Sequence, residues 1–388
     1  MKWFQANLIE QRHGIGYHKA GIARMNASKS TEIPWRLEQK LGVAFFAALF
    51  IGWFSAPAEW RNTGAGKGLY FLLLFAFALM LYLLDRKAWT QITDKAFFVA
   101  LLAAWLALFQ FLGNSILGYI HTTSLFSWMY EAYNSPNPAA DDGHGNFIPF
   151  LVIGLLWWKR KELLAHPVNL WWPGLWLLVL AMVLHISGYV LQQPRISIVA
   201  LFTGIYGLMG LSWGRAWLRK SFFPFFLFVF SIPLGDQAKF VTFPLRLLVT
   251  QLVVLVAHWI LGIDVVRVGT QLFDPSGSYG FNIEAPCSGI RSLVSIFLLA
   301  TIYGFTAFRS GWIRFFLMAL AFPFAVLGNL LRMLCIIVAA ELGGQRAGNY
   351  VHESTLISLV PYVPTIVGLL WVGHWIEKRW KSAEKERP

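Results

Sequence analysis

The strongest candidate for chemistry in this sequence is a cysteine at the start of an apolar run. Cys287 lies in the stretch APCSGIRSL, residues 285–293, and a proline directly before it suits the first turn of a helix. The positive end of a helix dipole favours the thiolate form of such a cysteine. Arg291 follows on the same face, and the backbone N–H groups of Ser288 and Gly289 could hold an oxyanion. The pattern indicates a nucleophile, although a small buried side chain beside a headgroup-binding arginine would produce the same string.

A second candidate is an arginine inside a later apolar run. Arg332 and Asn329 lie three residues apart in GNLLRML, residues 328–334, so they share one helix face. Arg332 follows Arg314 by 18 residues, about 27 Å of helix, which predicts a depth near the outer membrane boundary. A charge in a span costs at least about 2.5–3.5 kcal/mol, so this position favours function over simple snorkelling to headgroups.

The third candidate is His352 in the string YVHESTL, next to Glu353 and at the predicted depth of Cys287. Histidine is the usual proton shuttle near neutral pH, although a lone histidine at this depth can also be an interfacial polar group. The competing histidines are His121, His144, His185 and His258. We expect no metal site because no ligand pair has metal spacing on one helix, and no cofactor because no phosphate-binding or dinucleotide fingerprint occurs.

These residues require a membrane scaffold. The 388 residues are 57% hydrophobic and 13% charged, about half the charge of an average soluble protein. We predict an all-α polytopic membrane protein with about ten transmembrane helices (eight to ten). The predicted spans are 38–55, 68–84, 96–113, 145–158, 171–191, 196–213, 221–235, 286–305, 315–340 and 354–376. Prolines shorten or break the fourth and the seventh.

The distribution of the 32 Lys and Arg residues predicts the orientation. Most of them fall in the termini and in alternate loops, which the positive-inside rule assigns to the cytoplasm. We therefore predict a multi-pass protein of the cytoplasmic (inner) membrane with both termini cytoplasmic and the three candidates extracytoplasmic. The net charge of +13 is then a topology signal, so nucleic-acid binding is not expected.

The long outer loop 236–285 predicts two elements. Residues 240–261 have helical apolar spacing with interspersed polar residues, which favours a helix lying on the extracytoplasmic membrane surface. Val265–Val268 and Ser278–Ile283, with a turn at 274–277 between them, indicate a small β-hairpin that leads to Cys287.

Taken together, the string PCSGIRSL, the pair Asn329 and Arg332, and the following His352 resemble the exosortase/archaeosortase family of multi-span transpeptidases. The resemblance covers about 221–376. It implies that Cys287 is the nucleophile, that Arg332 and His352 are the family's arginine and histidine, and that Arg291 is the arginine that often follows the cysteine. Ser288, Gly289 and Asn329 would be supporting residues.

The resemblance also implies a function. Such enzymes are cysteine proteases and transpeptidases that cleave a C-terminal sorting signal from secreted proteins through a thioester acyl-enzyme. Their substrates end in a short motif, often Pro-Glu-Pro in bacteria, followed by a transmembrane helix and a basic tail, and the acyl group passes to an acceptor that this sequence does not identify. The chain would divide into a cytoplasmic basic arm (1–36), N-terminal transmembrane helices (37–220), an exosortase-like catalytic core (221–376) and a cytoplasmic basic tail (377–388).

Two other classes of function fit the same residues. Arg291 and Arg332 could line the path of an anionic substrate through a transporter or lipid flippase. The chain could also be a non-catalytic factor of exopolysaccharide export, and separation of Cys287, Arg332 and His352 in space would favour that interpretation.

Overall fold

The computed structural model describes residues 37–85, 95–135, 142–166, 168–282, 290–354 and 357–385. The predicted basic arm 1–36 and three of the site residues, Cys287, Ser288 and Gly289, lie outside the described residues. The described chain reaches residue 282 before the cysteine and resumes at residue 290 after it.

The described chain is mostly helical. Its α-helices are α1 (Leu37–Ser55), α2 (Ala58–Arg61), α3 (Gly64–Leu84), α4 (Lys95–Phe111), α5 (Leu125–Tyr133), α6 (Ile148–Trp158), α7 (Arg160–Leu164), α8 (Gly174–Val190), α9 (Pro194–Trp213), α10 (Arg215–Phe226), α11 (Lys239–Val256), α12 (Ile290–Ala307), α13 (Gly311–Glu353) and α14 (Val363–Lys385). The strands are β1 (Val266–Val268), β2 (Gln271–Phe273) and β3 (Gly280–Asn282). Short 3-10 helices include Leu227–Ser231 and Ile357–Tyr362, and a π-helical turn, Ala257–Leu261, extends α11.

Five helices among the described residues are long and apolar enough to cross a membrane. They are Gly64–Leu84, Pro194–Trp213, Phe240–Leu261, Gly311–Glu353 and Leu359–Arg379. Four of these coincide with predicted spans, and five other predicted spans correspond to apolar helices of 10–17 residues. The polytopic membrane fold is thus supported, whereas the predicted number of ten spans stays a prediction.

Two segments differ from the expectation. The seventh predicted span, 221–235, does not form one helix: α10 contains Pro224, ends at Phe226, and gives way to the 3-10 helix Leu227–Ser231. Pro224 lacks the N–H of one intrahelical hydrogen bond near this end. Conversely, the segment Phe240–Leu261, which we expect on the membrane surface, is itself long and apolar enough to cross.

The sheet that precedes the cysteine has three strands instead of two. β1 pairs antiparallel with β2, and β2 pairs antiparallel with β3, with Leu272 opposite both Arg267 and Phe281. The predicted turn after β2 is present, because Gly277 N–H donates to the Asp274 carbonyl at 2.9 Å. The predicted pairing of the two outer segments is wrong, because Gln271–Phe273 lies between them. The sharp connection at Gly269, where φ is +63°, allows the chain to reverse before this extra strand.

The C-terminal helices surround the region of the site. α12 packs antiparallel on α13, and Ile296 and Ala300 of α12 share a buried cluster with Ala321 and Ala325 of α13 and Leu369 of α14. These small and branched residues let the helices approach closely, as is typical of helix packing in membranes.

A second buried cluster joins α13 to the sheet. Met333, Ile336 and Ile337 of α13 pack with Leu272 of β2 and Phe281 of β3, and α11 contributes Val249, Val253 and Ala257. This cluster holds the sheet against the half of α13 that carries Arg332. It thereby also holds the strand that leads toward the cysteine.

Candidate active site

α13 reverses direction at Gly344. The backbone there has φ +70° and ψ −175°, values outside the helical range. Gly344 thus divides α13 into a first arm, 311–343, and a second arm, 345–353. The backbone of glycine adopts this conformation without steric conflict, whereas side-chain-bearing residues are strained there.

The packing of Gly348 on Ala340 shows how sharp the reversal is. Gly348 lies so close to the first arm that a Cβ placed on it would be 3.0 Å from the Cβ of Ala340. In a straight helix these two residues would be separated by about 12 Å. The second arm therefore folds back along the first.

The reversal brings two of the predicted catalytic residues together. Arg332 Nη2 donates a hydrogen bond to the backbone carbonyl oxygen of His352 at 3.4 Å. Twenty residues of straight helix would hold these residues about 30 Å apart, beyond the reach of one arginine side chain. Both residues are half-buried. The hydrogen bond fixes the guanidinium beside the turn of helix that carries the imidazole.

Asn329, the predicted supporting residue, contacts the 3-10 helix Ile357–Tyr362. It is only 3% exposed, and the hydroxyl of Tyr362 donates to its Oδ1 at 3.5 Å. Gly328 makes this approach possible, because a Cβ there would lie 2.5 Å from Cδ1 of the Tyr362 ring. Asn329 and Arg332 thus occupy one face of the first arm, as their spacing predicts.

The start of α12 lies level with this face. Gly304 of α12 packs on the backbone of Arg314, since a Cβ on Gly304 would be 3.5 Å from the Arg314 Cα. Because the two helices run antiparallel, moving back 14 residues along α12 to Ile290 corresponds to moving forward 14 residues along α13 to Gly328. Both steps cover about 21 Å. The described end of α12 therefore lies beside Asn329 and Arg332.

Cys287, Ser288 and Gly289 directly precede this end of α12, and they lie outside the described residues. For Arg291 the structure describes the backbone, at the first turn of α12. The second cysteine, Cys335, lies in the first arm one turn beyond Arg332, and its thiol is free. The geometry of the site thus includes Arg332, His352 and Asn329, and the position of the thiol stays a prediction.

A separate polar cleft lies among the N-terminal helices and was not predicted. Its walls include His121, Trp128, Glu131 and Arg195, and its volume is about 210 Å³. Burial opposes the charge on Glu131, but hydrogen bonds from Lys67 and His121 outweigh burial and lower the pKa of this carboxyl below its ordinary value of 4.5. Sequence spacing offered little warning, because Lys67 lies 64 residues before Glu131.

The cleft is braced by a buried carboxylate. Asp142 is 3% exposed and accepts hydrogen bonds from the backbone N–H groups of Leu234 and Gly235, both at 2.9 Å. Arg195 binds the neighbouring carbonyl of Pro233 at 2.6 Å. Within the described residues, no group of three or more His, Cys, Asp or Glu side chains is arranged to hold a metal ion.

Comparison with known families gives one finding. The family model of the transmembrane exosortases matches residues 135–371, more than half of the chain. The match contains Asn329, Arg332 and His352 and extends further toward the N-terminus than the predicted core at 221–376. A search of curated proteins and a search of solved structures each returned no significant match.

Proposed function

The chain belongs to the transmembrane exosortase family, and from this premise we propose that it is a membrane cysteine protease and transpeptidase. It cleaves a C-terminal sorting signal from secreted proteins at the outer face of the cytoplasmic membrane. Cys287 is the nucleophile, Arg332 stabilises charge, and His352 transfers protons. The protein needs no cofactor or metal for these steps.

The observation that carries this proposal is the reversal of α13. It brings the backbone of His352 within 3.4 Å of the Arg332 guanidinium, at the level where α12 begins. Cys287 precedes Ile290 by three residues, and three residues of chain span at most about 11 Å. The separate segments that carry the thiol, the guanidinium and the imidazole are therefore compatible with a single pocket.

The reaction begins when the Cys287 thiolate attacks the carbonyl carbon of the scissile peptide bond. A C–S bond forms, and the carbonyl electrons move to oxygen, giving a tetrahedral oxyanion. As this intermediate collapses, the C–N bond breaks and the leaving amine takes a proton from the His352 imidazolium. The products of this half-reaction are a thioester on Cys287, a free amine on the membrane-anchored fragment, and neutral His352.

The second half-reaction releases the protein. An acceptor nucleophile loses its proton to His352 and attacks the thioester carbonyl, and the C–S bond then breaks to regenerate the thiolate. If the acceptor is an amine or hydroxyl of another molecule, the protein is transferred to it. If the acceptor is water, the protein is released by hydrolysis.

Arg332 is suited to the oxyanion for two reasons. A guanidinium is positively charged and offers several N–H donors in a plane. The His352 carbonyl engages one of these nitrogens, which restrains the orientation of the group before substrate arrives. Preorganised donors of this kind are worth about 10²–10³ in rate for one oxyanion contact. Ser288 and Gly289 backbone N–H groups, with Arg291 and Asn329, are the proposed supporting contacts.

The proposed partners follow from the membrane setting. The substrate is a secreted protein whose sorting motif is followed by a transmembrane helix and a basic tail, so that the cleavage site is held at the membrane surface beside Cys287. We place both termini of the enzyme in the cytoplasm and the site outside. Labelling of single introduced cysteines with a membrane-impermeant reagent tests this orientation: residue 353 should react from outside, and residue 385 should not.

The test of function uses both natural cysteines. A tagged substrate with a motif, an apolar helix and a basic tail is co-expressed with the Cys287→Ala or the Cys335→Ala variant. Processing should be abolished by the first change and retained with the second, while both variants insert in the membrane at wild-type levels. Retained processing in Cys287→Ala would exclude the proposed nucleophile.

A further inference from the structure

The free edge of the sheet is occupied by a side chain. The backbone groups of Tyr279, directly before β3, and of Phe281 in β3 point toward β2: the Tyr279 carbonyl accepts from Asp274 N–H at 3.0 Å, and Phe281 pairs with Leu272. Backbone groups alternate along an antiparallel strand, so the N–H and C=O of Gly280 point away from β2, toward the open edge.

Gln345 satisfies both of these groups. Gly280 N–H donates to Gln345 Oε1 at 2.8 Å, and Gln345 Nε2 donates to the Gly280 carbonyl at 3.3 Å. The side-chain amide thus forms the pair of hydrogen bonds that a neighbouring strand would form. Gln345 Nε2 also donates to Asn349 Oδ1 at 2.8 Å, which selects the orientation of the amide.

Two further contacts tie β3 to α13 on either side of Gln345. The Tyr279 hydroxyl donates to Glu341 Oε2 at 3.2 Å, before the reversal at Gly344. After the reversal, the Phe281 ring packs over Gly348, where an added Cβ would be 2.4 Å from the ring Cζ. Three consecutive residues, Tyr279 to Phe281, therefore clamp this end of the sheet to both arms of α13.

We propose that Gln345 is a positioning residue that holds the second arm of α13, which carries His352, against β3. Gly280 lies seven residues before Cys287, and Gln345 lies seven residues before His352 on the short second arm. The paired hydrogen bonds therefore join the two segments that deliver the nucleophile and the proton carrier. This inference rests on the proposed function of the site.

The clamp matters because catalysis depends on sub-ångström placement. A misplacement of about 1 Å can cost about 100-fold in rate even when the change lies away from the chemistry. Gly280 and Gln345 are both partly exposed, so water can replace the lost hydrogen-bond partners at little cost to folding. Loss of Gln345 should thus affect the reaction far more than the folding of the protein.

The first experiment measures the reactivity of the thiol without any substrate. In a Cys335→Ser background, Cys287 is the only cysteine, and its alkylation by iodoacetamide reports its thiolate fraction and access. Gln345→Ala should lower the alkylation rate at pH 7 at least about tenfold and lower turnover with little change in KM. Arg346→Ala, an exposed neighbour on the same arm, is the matched control and should leave both values unchanged.

Gln345→Glu provides a pH signature that a purely structural role would lack. A carboxylate can accept from Gly280 N–H but cannot donate to the Gly280 carbonyl, whereas a protonated carboxyl group can do both. The ratio of the variant's alkylation rate to that of the Gln345 protein should therefore rise toward one as pH falls from 7 to 5. Gln345→Met, which keeps the length but forms neither hydrogen bond, should show no such recovery.

The outcomes distinguish the positioning role of Gln345 from the proposed function of the site. An unchanged alkylation rate in both Gln345→Ala and Gln345→Met, in a protein whose processing requires Cys287, overturns the positioning role and leaves the function intact. Processing that survives Cys287→Ala overturns the function and the inference with it. A reduced rate with pH-dependent recovery in Gln345→Glu supports both. If Gln345→Ala fails to fold, Asn349→Ala, which removes only the support of the amide, should give a smaller loss in the same direction.

Discussion

Replacing Gly344 by alanine should separate the two halves of the site. At φ +70° and ψ −175°, a residue with a Cβ carries about 1–3 kcal/mol of strain, and the strain disappears if the helix straightens. A straight helix would hold Arg332 and His352 about 30 Å apart. This strain raises the free energy of the reversed helix relative to the straight one. The population of the reversed form, and with it the processing rate, should fall by about 5- to 140-fold.

The assay measures the arrangement directly. In a Cys287→Ser background, one spin label is attached to the native Cys335 and a second to the cysteine introduced by Glu353→Cys. The distance between the two labels is measured by pulsed electron paramagnetic resonance. Eighteen residues of continuous helix would separate the two Cα atoms by about 27 Å, whereas the reversed helix holds them much closer. Gly344→Ala should shift the distribution toward the longer distance.

Gly311→Ala is the control on the same helix. An added Cβ there meets no atom within 4 Å, so this variant should keep the short distance and the full processing rate. A Gly344→Ala protein that retains both the short distance and wild-type processing would refute the reasoning, because it would show that the reversal needs no glycine.

Three further predictions follow from contacts of single residues. Arg332→Lys keeps the charge but loses the planar donor set, so processing should fall about 10²- to 10³-fold at wild-type expression, and unaltered turnover would remove the oxyanion role. Gly348→Ala forces a methyl group against the Phe281 ring and should destabilise the protein by about 1–3 kcal/mol in thermal unfolding; equal stability would show that β3 does not press on the second arm. Glu131 has a lowered pKa in the folded state, so its contribution to stability is complete above pH 4.5 and is lost as pH falls through the folded-state value. Glu131→Gln should therefore destabilise the protein at pH 7, the difference should shrink as the pH falls below 4.5, and a pH-independent difference would contradict the proposed ion pairing.

The sequence predicted those features of the site that depend on local spacing. The i,i+3 relation of Asn329 and Arg332 follows from helical periodicity, and both residues lie on the face expected for them. The distance along the helix axis between Arg314 and Arg332 could be calculated from the number of residues between them, because both lie on one arm of α13. The turn that follows β2 was predictable from the Asp-Pro-Ser-Gly string, because those residue types favour turns.

The reversal at Gly344 could not be predicted in the same way. Residues 341–353 are polar enough to indicate an outer loop, and the sequence does not distinguish a loop from a short helix that folds back on the first arm. The backbone angles of Gly344 and the close packing of Gly348 on Ala340 and Phe281 reveal it in the structure. Gln345 was missed for a related reason: its partner is the backbone of Gly280, 65 residues earlier, and a backbone group leaves no signal in the sequence.

The role of Cys287 is tested most directly by trapping the acyl-enzyme. A substrate with a sorting signal is co-expressed with the Cys335→Ser protein, the reaction is stopped with acid, and the denatured enzyme is analysed by mass spectrometry before and after hydroxylamine. We expect a thioester between the substrate's new C-terminus and Cys287 that hydroxylamine removes and that Cys287→Ala eliminates. Continued substrate cleavage by the Cys287→Ala enzyme, with no adduct on any cysteine, would contradict the account.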